Sequence, residues 1–500
     1  CPSQGRRSVC VLNELEHSTN YNATSFVKIN GNIDHDKVND AFKKIVERHD
    51  ILRTAFIKNN GSIVQSVLDE VDFNINIVDV GNRNVDEVIK ECIQVFNLSE
   101  PPLIRVSVLK ISNEEHILVM DLHHIVSDGI SMNIITDEFL KLYSGDECEE
   151  VRVQYKDYAV WEKESSEYQE MISKQGKYWG SVLDGDLPAI RLPYDHERFN
   201  VKNSDGAREY FTISKDKTDV LKKIAKENNS RLFHILLAAY YIMLHKFNKQ
   251  NDIIIGTAIA NRRFTEIENT IGVYANSLPI RCGIDPDLTF SDLLCRVIDQ
   301  FDHAEENQEF PFDEMVRRFN KQRDLSRNSF FDVFFIMQTV KALNKKIGGF
   351  NVEPYHYNGN TAKFDLFLEV FDVNGELDLS FEYSTKLFKR ETIKKFVDAY
   401  IDIINSLSNE NALQTTIADI LNIDDRKHNN VLSVSSEDMK WFESISNDHN
   451  PLHVDEKYAA ATVYGECVVY GALGVLKAIS MFAADTLENI HIRSLDVQFI

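Results

Sequence analysis

The sequence predicts an α/β protein, in the α+β sense, with two lobes and a shorter third segment behind them. Three observations carry this. Helix-like and strand-like stretches alternate along nearly the whole chain. Its 500 residues are too many for one ordinary core. Two polar stretches with little periodicity, 184–207 and 409–430, divide it into 1–183, 184–425 and a final segment over 431–500.

The elements follow in order. "AFKKIVERHDILRTAFI" (41–57) reads as an amphipathic helix, a turn and a strand; "KKIVERHD" (43–50) is a solvated face and "RHD" (48–50) is helix-end packing. "EEHILVMDLHH" (114–124) is a buried strand on which Leu118, Met120, Leu122 and His124 share one face, because side chains alternate. Ser127, Asp128 and Gly129 supply turn and helix-cap chemistry, and "SMNIITDEFLKLYSG" (131–145) is a helix that Gly145 ends. "DGDLPAIRLPYDHERFNVKNSDGA" (184–207) joins the lobes. The second α/β stretch runs from "REYFTIS" (208–214) to "YIDIINSLS" (400–408), and its Phe cluster at 330–335 reads as core. There is no internal repeat.

Charge and composition exclude some partners. A net charge of -23 repels phosphate backbones, so nucleic acid is not an expected partner. No apolar run is long enough to span a bilayer, and "CPSQGRRSVC" (1–10) lacks the apolar stretch of a signal peptide. Seven dispersed cysteines with no C-x-x-C pair read as reduced thiols in a cytoplasmic protein. The start at Cys1 and the strand-like end "SLDVQFI" (494–500) suggest a window from a longer polypeptide.

"LHHIVSDGIS" (122–131) carries the first concentration of chemistry. His124 is either a satisfied core histidine or an imidazole aimed at a cleft from a rigid strand end. Adjacent histidines face opposite sides, so His123 and His124 do not suit one metal ion, and no metal is expected. Asp128 is a turn cap, with any further role open.

The pattern His123-His124-Ile-Val-Ser-Asp128-Gly129 resembles the core motif of nonribosomal peptide synthetase condensation domains, of the chloramphenicol-acetyltransferase-like superfamily. Similar stretches stand in the same order: "RHDILRTAF" (48–56), "FNLSEPPLIRV" (96–106), "YWGSVLDGDLPAIRLPYD" (178–195), "IIGTAIANRRFTEIENTIGVYANSLPIR" (254–281) and "KFDLFLEVFDVNGELDLSFEYSTKLF" (363–388). "SQGRRSVCVL" (3–12) departs from the pattern, with Ser8 and Cys10 where an arginine and an aromatic residue would align. The resemblance covers about residues 1–425 and implies two acetyltransferase-like lobes in a V-shaped pseudo-dimer. It implies amide formation between a donor acyl or peptidyl thioester and an acceptor aminoacyl thioester. Both would ride on phosphopantetheine arms of carrier-protein domains in neighbouring synthetase modules, with no cofactor bound directly. His124 would bind the attacking amine and act as its base or positioner, the Gly129 N–H would place an acyl oxygen, and His123 would brace the loop. Asp128 would pair with Arg262 of the other lobe, and Asn276 in "YANSLP" (274–279) would be a satisfied polar residue or a seam residue. A coenzyme A-dependent or starter-type acyltransferase and a non-catalytic carrier-docking module are the alternatives.

"SNDHNPLHVDEKYAAATVYGECVVYGALGVLKAISMFAADTL" (446–487) has its own logic. His449 and His453 have helical ligand spacing, but Pro451 between them disfavours a helix interior and a metal pair. Asp448 and His453 could converge as an acid/base pair, ahead of a helix after Gly471 that is apolar nearly all round. The segment resembles the hot-dog fold of MaoC-like hydratases and dehydratases, with their D-x-N-P-x-H motif as Asp448-His-Asn450-Pro451-Leu-His453. Val469-Tyr470-Gly471 stands where the pattern has V-H-G. The resemblance implies proton and water transfer on an acyl thioester by Asp448 and His453, carbonyl polarisation by the Gly471 N–H, and dimerisation through this segment. It spans only the first half of a hot-dog unit.

Overall fold

The computed structural model describes residues 18–421 except 60–61, 200–202, 321–323, 325, 340–345, 348–349, 356, 358, 360 and 410, and then 436–446, 450–455 and 457. The strands of the first half are β1 (Asn22–Asn30), β2 (Thr54–Asn59), β3 (Ser62–Val67), β4 (Asn76–Asp79), β5 (Ile104–Lys110) and β6 (Glu115–His123). Those of the second are β7 (Gly206–Ile213), β8 (Asp252–Ile259), β9 (Asn276–Gly283), β10 (Val333–Thr339), β11 (Lys346–Ile347), β12 (Phe350–Pro354), β13 (Leu366–Val373) and β14 (Glu376–Ser384). They form two six-stranded sheets, ordered β11-β12-β1-β6-β5-β4 and β7-β14-β13-β10-β8-β9, plus the β2-β3 hairpin.

β6 shows why these residues make a central strand. Leu118, Met120 and Leu122 pack into the core beneath the helices His35–Arg48 and Gly129–Ser144, while Ile117 and Val119 pack on the opposite face with Val88 and Ile89. Both faces are covered, so the strand is apolar without a break from Ile117 to Met120. The helix His35–Arg48 begins six residues before the periodic stretch read from the sequence, because the Asp34 carboxylate accepts the Asp36 and Lys37 N–H groups as its cap. Its Val38, Ala41, Phe42, Ile45 and Val46 form the buried stripe.

The second sheet carries the helix Leu232–Asn248, buried from Ile235 to Leu244. β10 runs parallel to β13 and to β8, with Phe334 opposite Gly256. One exchange departs from two consecutive lobes. β12 pairs antiparallel with β1, Val27 opposite Pro354, so a segment from the second half completes the first sheet. Phe350 and Val352 are buried in the first lobe's core. A five-residue strand is too short to announce its partner in sequence.

The chain divides into two compact units, 1–421 and 422–500. The described part of the second contains the helices Ser436–Ser446 and Pro451–Val454. No described helix is long and apolar enough to cross a membrane.

Candidate active site

β6 delivers the two histidines to a tight turn. The His124 N–H donates to the Tyr21 carbonyl at 2.7 Å, and the Val126 N–H donates to the His123 carbonyl at 3.0 Å. The His123 ring is fully buried, beside Tyr21 and Phe96 at centroid distances of 6.4 and 6.1 Å. Its Nδ1 accepts the Ile125 N–H at 3.1 Å. Burial, with His124 adjacent, holds its pKa down to about 4. The sealed ring packs within the turn and does not border the cavity that His124 lines.

His124 is half-buried and lines a large cavity. Its Nδ1 lies 3.1 Å from the Ser127 carbonyl oxygen. A carbonyl only accepts, so the neutral ring carries its proton on Nδ1 and its lone pair on Nε2. Desolvation, with the positive charge of Lys363, holds the pKa down to about 4 against the opposing pull of Asp128. The imidazole is therefore a neutral acceptor at neutral pH.

Asp128 borders the same cavity, but its carboxylate is engaged by fixed partners. Its Oδ1 accepts the Ser131 N–H at 2.8 Å, which caps the helix Gly129–Ser144, and the Ser131 hydroxyl at 2.7 Å. Its Oδ2 accepts the Tyr274 N–H at 3.1 Å and the Ala275 N–H at 3.3 Å. Arg262 Nη2 lies 3.1 Å from Oδ1. Arg262 Nη1 donates to the carbonyls of Ile267 at 2.7 Å and Thr270 at 2.6 Å, and the guanidinium stacks 4.2 Å from the Tyr274 ring centroid. Sequence reasoning missed Ser131, whose Oγ accepts the Gly272 N–H at 3.0 Å, and Tyr155, whose hydroxyl donates to the Val273 carbonyl at 3.1 Å. Together these groups latch the first lobe to the segment 262–275. Gly129 opens the helix, where backbone N–H groups lack intrahelical partners, and a Cβ there would meet nothing within 4 Å.

Asn276 spends its amide inside the second lobe. Its Nδ2 donates to the Gln308 and Phe310 carbonyls, both at 2.8 Å, and its Oδ1 accepts the Ser277 and Phe312 N–H groups, both at 3.0 Å. All four capacities of the amide are used within the second lobe, so it does not bridge the seam.

The cavity, about 2450 Å³, is lined from both lobes: His124 and Gly129 from the first, and Arg208, Lys363 and Phe364 among others from the second. The Phe cluster is core, as its composition predicts, but part of it also borders the cavity: Phe335 belongs to the second lobe's main core, and Phe331 and Phe334 are buried with Ile254 in a smaller cluster that, with Phe330, lines the cavity. Strand alternation at Phe334-Phe335 was the available signal.

In the second unit, Pro451 opens a four-residue helix, the position proline tolerates, and the His453 N–H donates to the Asn450 carbonyl at 2.9 Å. Asn450 is exposed and His453 half-buried. Asp448 and Gly471 lie outside the described residues. Among the described residues no three His, Cys, Asp or Glu side chains gather to hold a metal ion.

The Condensation domain family model matches residues 2–429. The chain belongs to the condensation-domain family. A MaoC like domain model matches residues 422–500. Bacitracin synthase 3 of Bacillus licheniformis is 35% identical over 407 residues, 81% of this chain and 6% of that protein. Gramicidin S synthase 2 of Brevibacillus brevis is 36% identical over 427 residues, 85% of this chain and 10% of that protein. The condensation-domain chain thus spans a tenth or less of these two relatives. Among solved structures, the condensation domain of a monacolin K polyketide synthase aligns with a TM-score of 0.75 and 22% identity, over 83% of this chain and 98% of that one. The X-domain from teicoplanin biosynthesis aligns with a TM-score of 0.74 and 19% identity, over 84% and 96%. These likenesses establish the shared fold.

Proposed function

We propose that residues 1–425 form an amide bond between two carrier-bound thioesters that meet in the cavity. The observation that carries this reading is that His124, with its Nδ1 held by the Ser127 carbonyl, lines a cavity walled by both lobes. A donor acyl thioester and an acceptor aminoacyl thioester enter on the phosphopantetheine arms of separate carrier domains. The acceptor nitrogen attacks the thioester carbonyl carbon, a C–N bond forms, and the C–S bond breaks. His124 Nε2 accepts the proton the nitrogen sheds and returns it to the departing sulfur. The Gly129 N–H faces the acyl oxygen, where a fixed donor stabilises developing negative charge. The latch around Asp128 keeps both walls in register. The experiment supplies the purified chain with loaded donor and acceptor carrier proteins, and in parallel with acyl-CoA as donor. Amide formed from the carrier pair, lost in His124→Ala, supports the reading. A preference for acyl-CoA favours the coenzyme A-dependent acyltransferase, and carrier binding without turnover, indifferent to His124→Ala, favours a docking module.

For residues 431–500 we propose half of an acyl-thioester hydratase or dehydratase site, with Asp448 and His453 moving the proton and water, Asn450 shaping the loop, and the Gly471 N–H polarising the carbonyl. The MaoC like match supports this reading. Hydration of a 2-enoyl thioester that disappears in Asp448→Asn tests it, and light scattering tests dimerisation through the segment.

A further inference from the structure

The second-lobe wall of the cavity carries a connected aromatic surface that the chemistry of amide formation does not require. Phe334 stacks on Phe364 at 4.3 Å with their planes 5° apart, Phe331 lies 5.7 Å from Phe334, and Phe367 lies 6.1 Å from Phe364. These four rings, with Phe330 and Ile336, all line the cavity. Two features show that the surface is built rather than left over. A Cβ on Gly256 would fall 2.3 Å from the Phe331 ring and 2.6 Å from the Phe334 ring, so both rings lie against bare backbone of β8. Phe330 is held at a φ of 70°, a conformation a bulky residue rarely adopts. The neighbouring turn enforces it: Asp332 accepts the Asn328 N–H at 2.9 Å and Arg327 Nη1 at 2.6 Å, and the Ser329 carbonyl accepts the Phe331 N–H at 3.0 Å. Strain of this kind persists where the surroundings over-determine it, often at ligand clamps.

Arg208 bridges Glu369 and Glu382, each at 2.7 Å, so its charge is already shared between two carboxylates. His124 and the aromatic surface line the same cavity.

We infer that this aromatic wall is a side-chain pocket, which selects a substrate whose acyl or aminoacyl group bears an apolar side chain, aliphatic or aromatic. The inference rests on the amide-forming reading above and names the substrate class of that site. Either the donor or the acceptor could present the side chain, and the experiment separates them.

Alanyl, leucyl, phenylalanyl and glutamyl thioesters are compared as donors against one acceptor, and then as acceptors against one donor. In one of the two series kcat/KM should favour leucyl or phenylalanyl over glutamyl by about tenfold or more, the scale on which apolar pockets discriminate. Phe330→Gly, which relieves the positive φ, and Phe364→Ala should each shrink that ratio in the same series. Equal kcat/KM across side chains in both series, or a ratio unchanged in both variants, overturns the inference. If no pair yields amide, the amide-forming reading fails. Calorimetric binding of leucyl- against glutamyl-S-pantetheine to the whole chain then decides the pocket: tighter leucyl binding that Phe330→Gly weakens upholds it, and equal binding overturns it.

Discussion

Arg262 Nη2 lies 3.1 Å from Asp128 Oδ1 across the seam, with both side chains 3% exposed. The carboxylate of the His-His-x-x-x-Asp-Gly motif is therefore spent on holding the lobes together. Its two oxygens are held by four residues, Ser131, Tyr274, Ala275 and Arg262. Removing one partner leaves a buried charge uncompensated, at a cost of about 3–5 kcal/mol. Asp128→Ala and Arg262→Ala should each lower unfolding stability by that order. The double variant should lose less than the two losses added, as read by urea unfolding in a double-mutant cycle. Additive losses would show that the pair does not act as a unit.

Two glycines near the latch should respond in opposite ways. A Cβ on Gly272 would fall 2.0 Å from Cδ2 of Tyr155, a ring buried in the first lobe's core, whereas a Cβ on Gly129 would enter open cavity. Overpacking of the first kind costs about 1–3 kcal/mol or more. Gly272→Ala should therefore lower Tm clearly, and Gly129→Ala should leave it within about a degree or two. If acyl groups pass Gly129, the added methyl should slow amide formation despite the intact fold. A Gly129→Ala enzyme at full rate would place the acyl oxygen elsewhere.

Acid should weaken the fold through its buried histidines. His123, His124 and His234 are each held at about 4, below the ordinary 6.5, chiefly by burial. Between those values the unfolded chain binds more protons than the folded one, so stability falls as pH drops from 6.5 towards 4. Asp121, raised by burial to about 6, works the other way between 3.8 and 6. His234 offers a clean test because its Nδ1 accepts the Arg231 N–H at 3.2 Å at a helix start, a role glutamine can fill. His234→Gln should show a smaller Tm drop between pH 7 and pH 5 than the parent. An equal drop would remove His234 from the acid response.

The parts of the site that were legible in sequence are those set by near neighbours. β6 and the following turn could be read from alternation and turn chemistry. The helix Gly129–Ser144 begins two residues before its predicted start and ends with Gly145 at a φ of 87°, the left-handed position that glycine favours. What could not be read depends on partners far along the chain. Ser131 meets Gly272 from 141 residues away, and β12 joins β1 from the other half of the sequence. Asn276 was ambiguous because an amide at a strand start looks the same whether its partners lie across a seam or within one lobe. The aromatic wall was only half legible for a similar reason: a run of phenylalanines declares burial, which the structure has, but not which of them also borders a cavity.

The role of His124 can be settled by how rate depends on pH. Its imidazole is held at about 4, so it is already neutral across the range where histidines ordinarily titrate. The acceptor's α-amino group, with a pKa of about 8, is mostly protonated at neutral pH. Rate with the free enzyme should therefore rise with pH towards about 8 on the substrate's titration, with no break between pH 5.5 and 7. A general base contributes about 10²–10⁴-fold, so His124→Ala should lower kcat by at least the smaller factor at every pH in that range. The half-buried position of His124 on the cavity wall should leave Tm nearly unchanged. A residue that only positions the amine would instead raise KM for the acceptor and spare kcat. A break near pH 6.5 that vanishes in His124→Ala would mean that the imidazole titrates normally, and that the desolvated, Lys363-flanked environment described here does not hold during turnover.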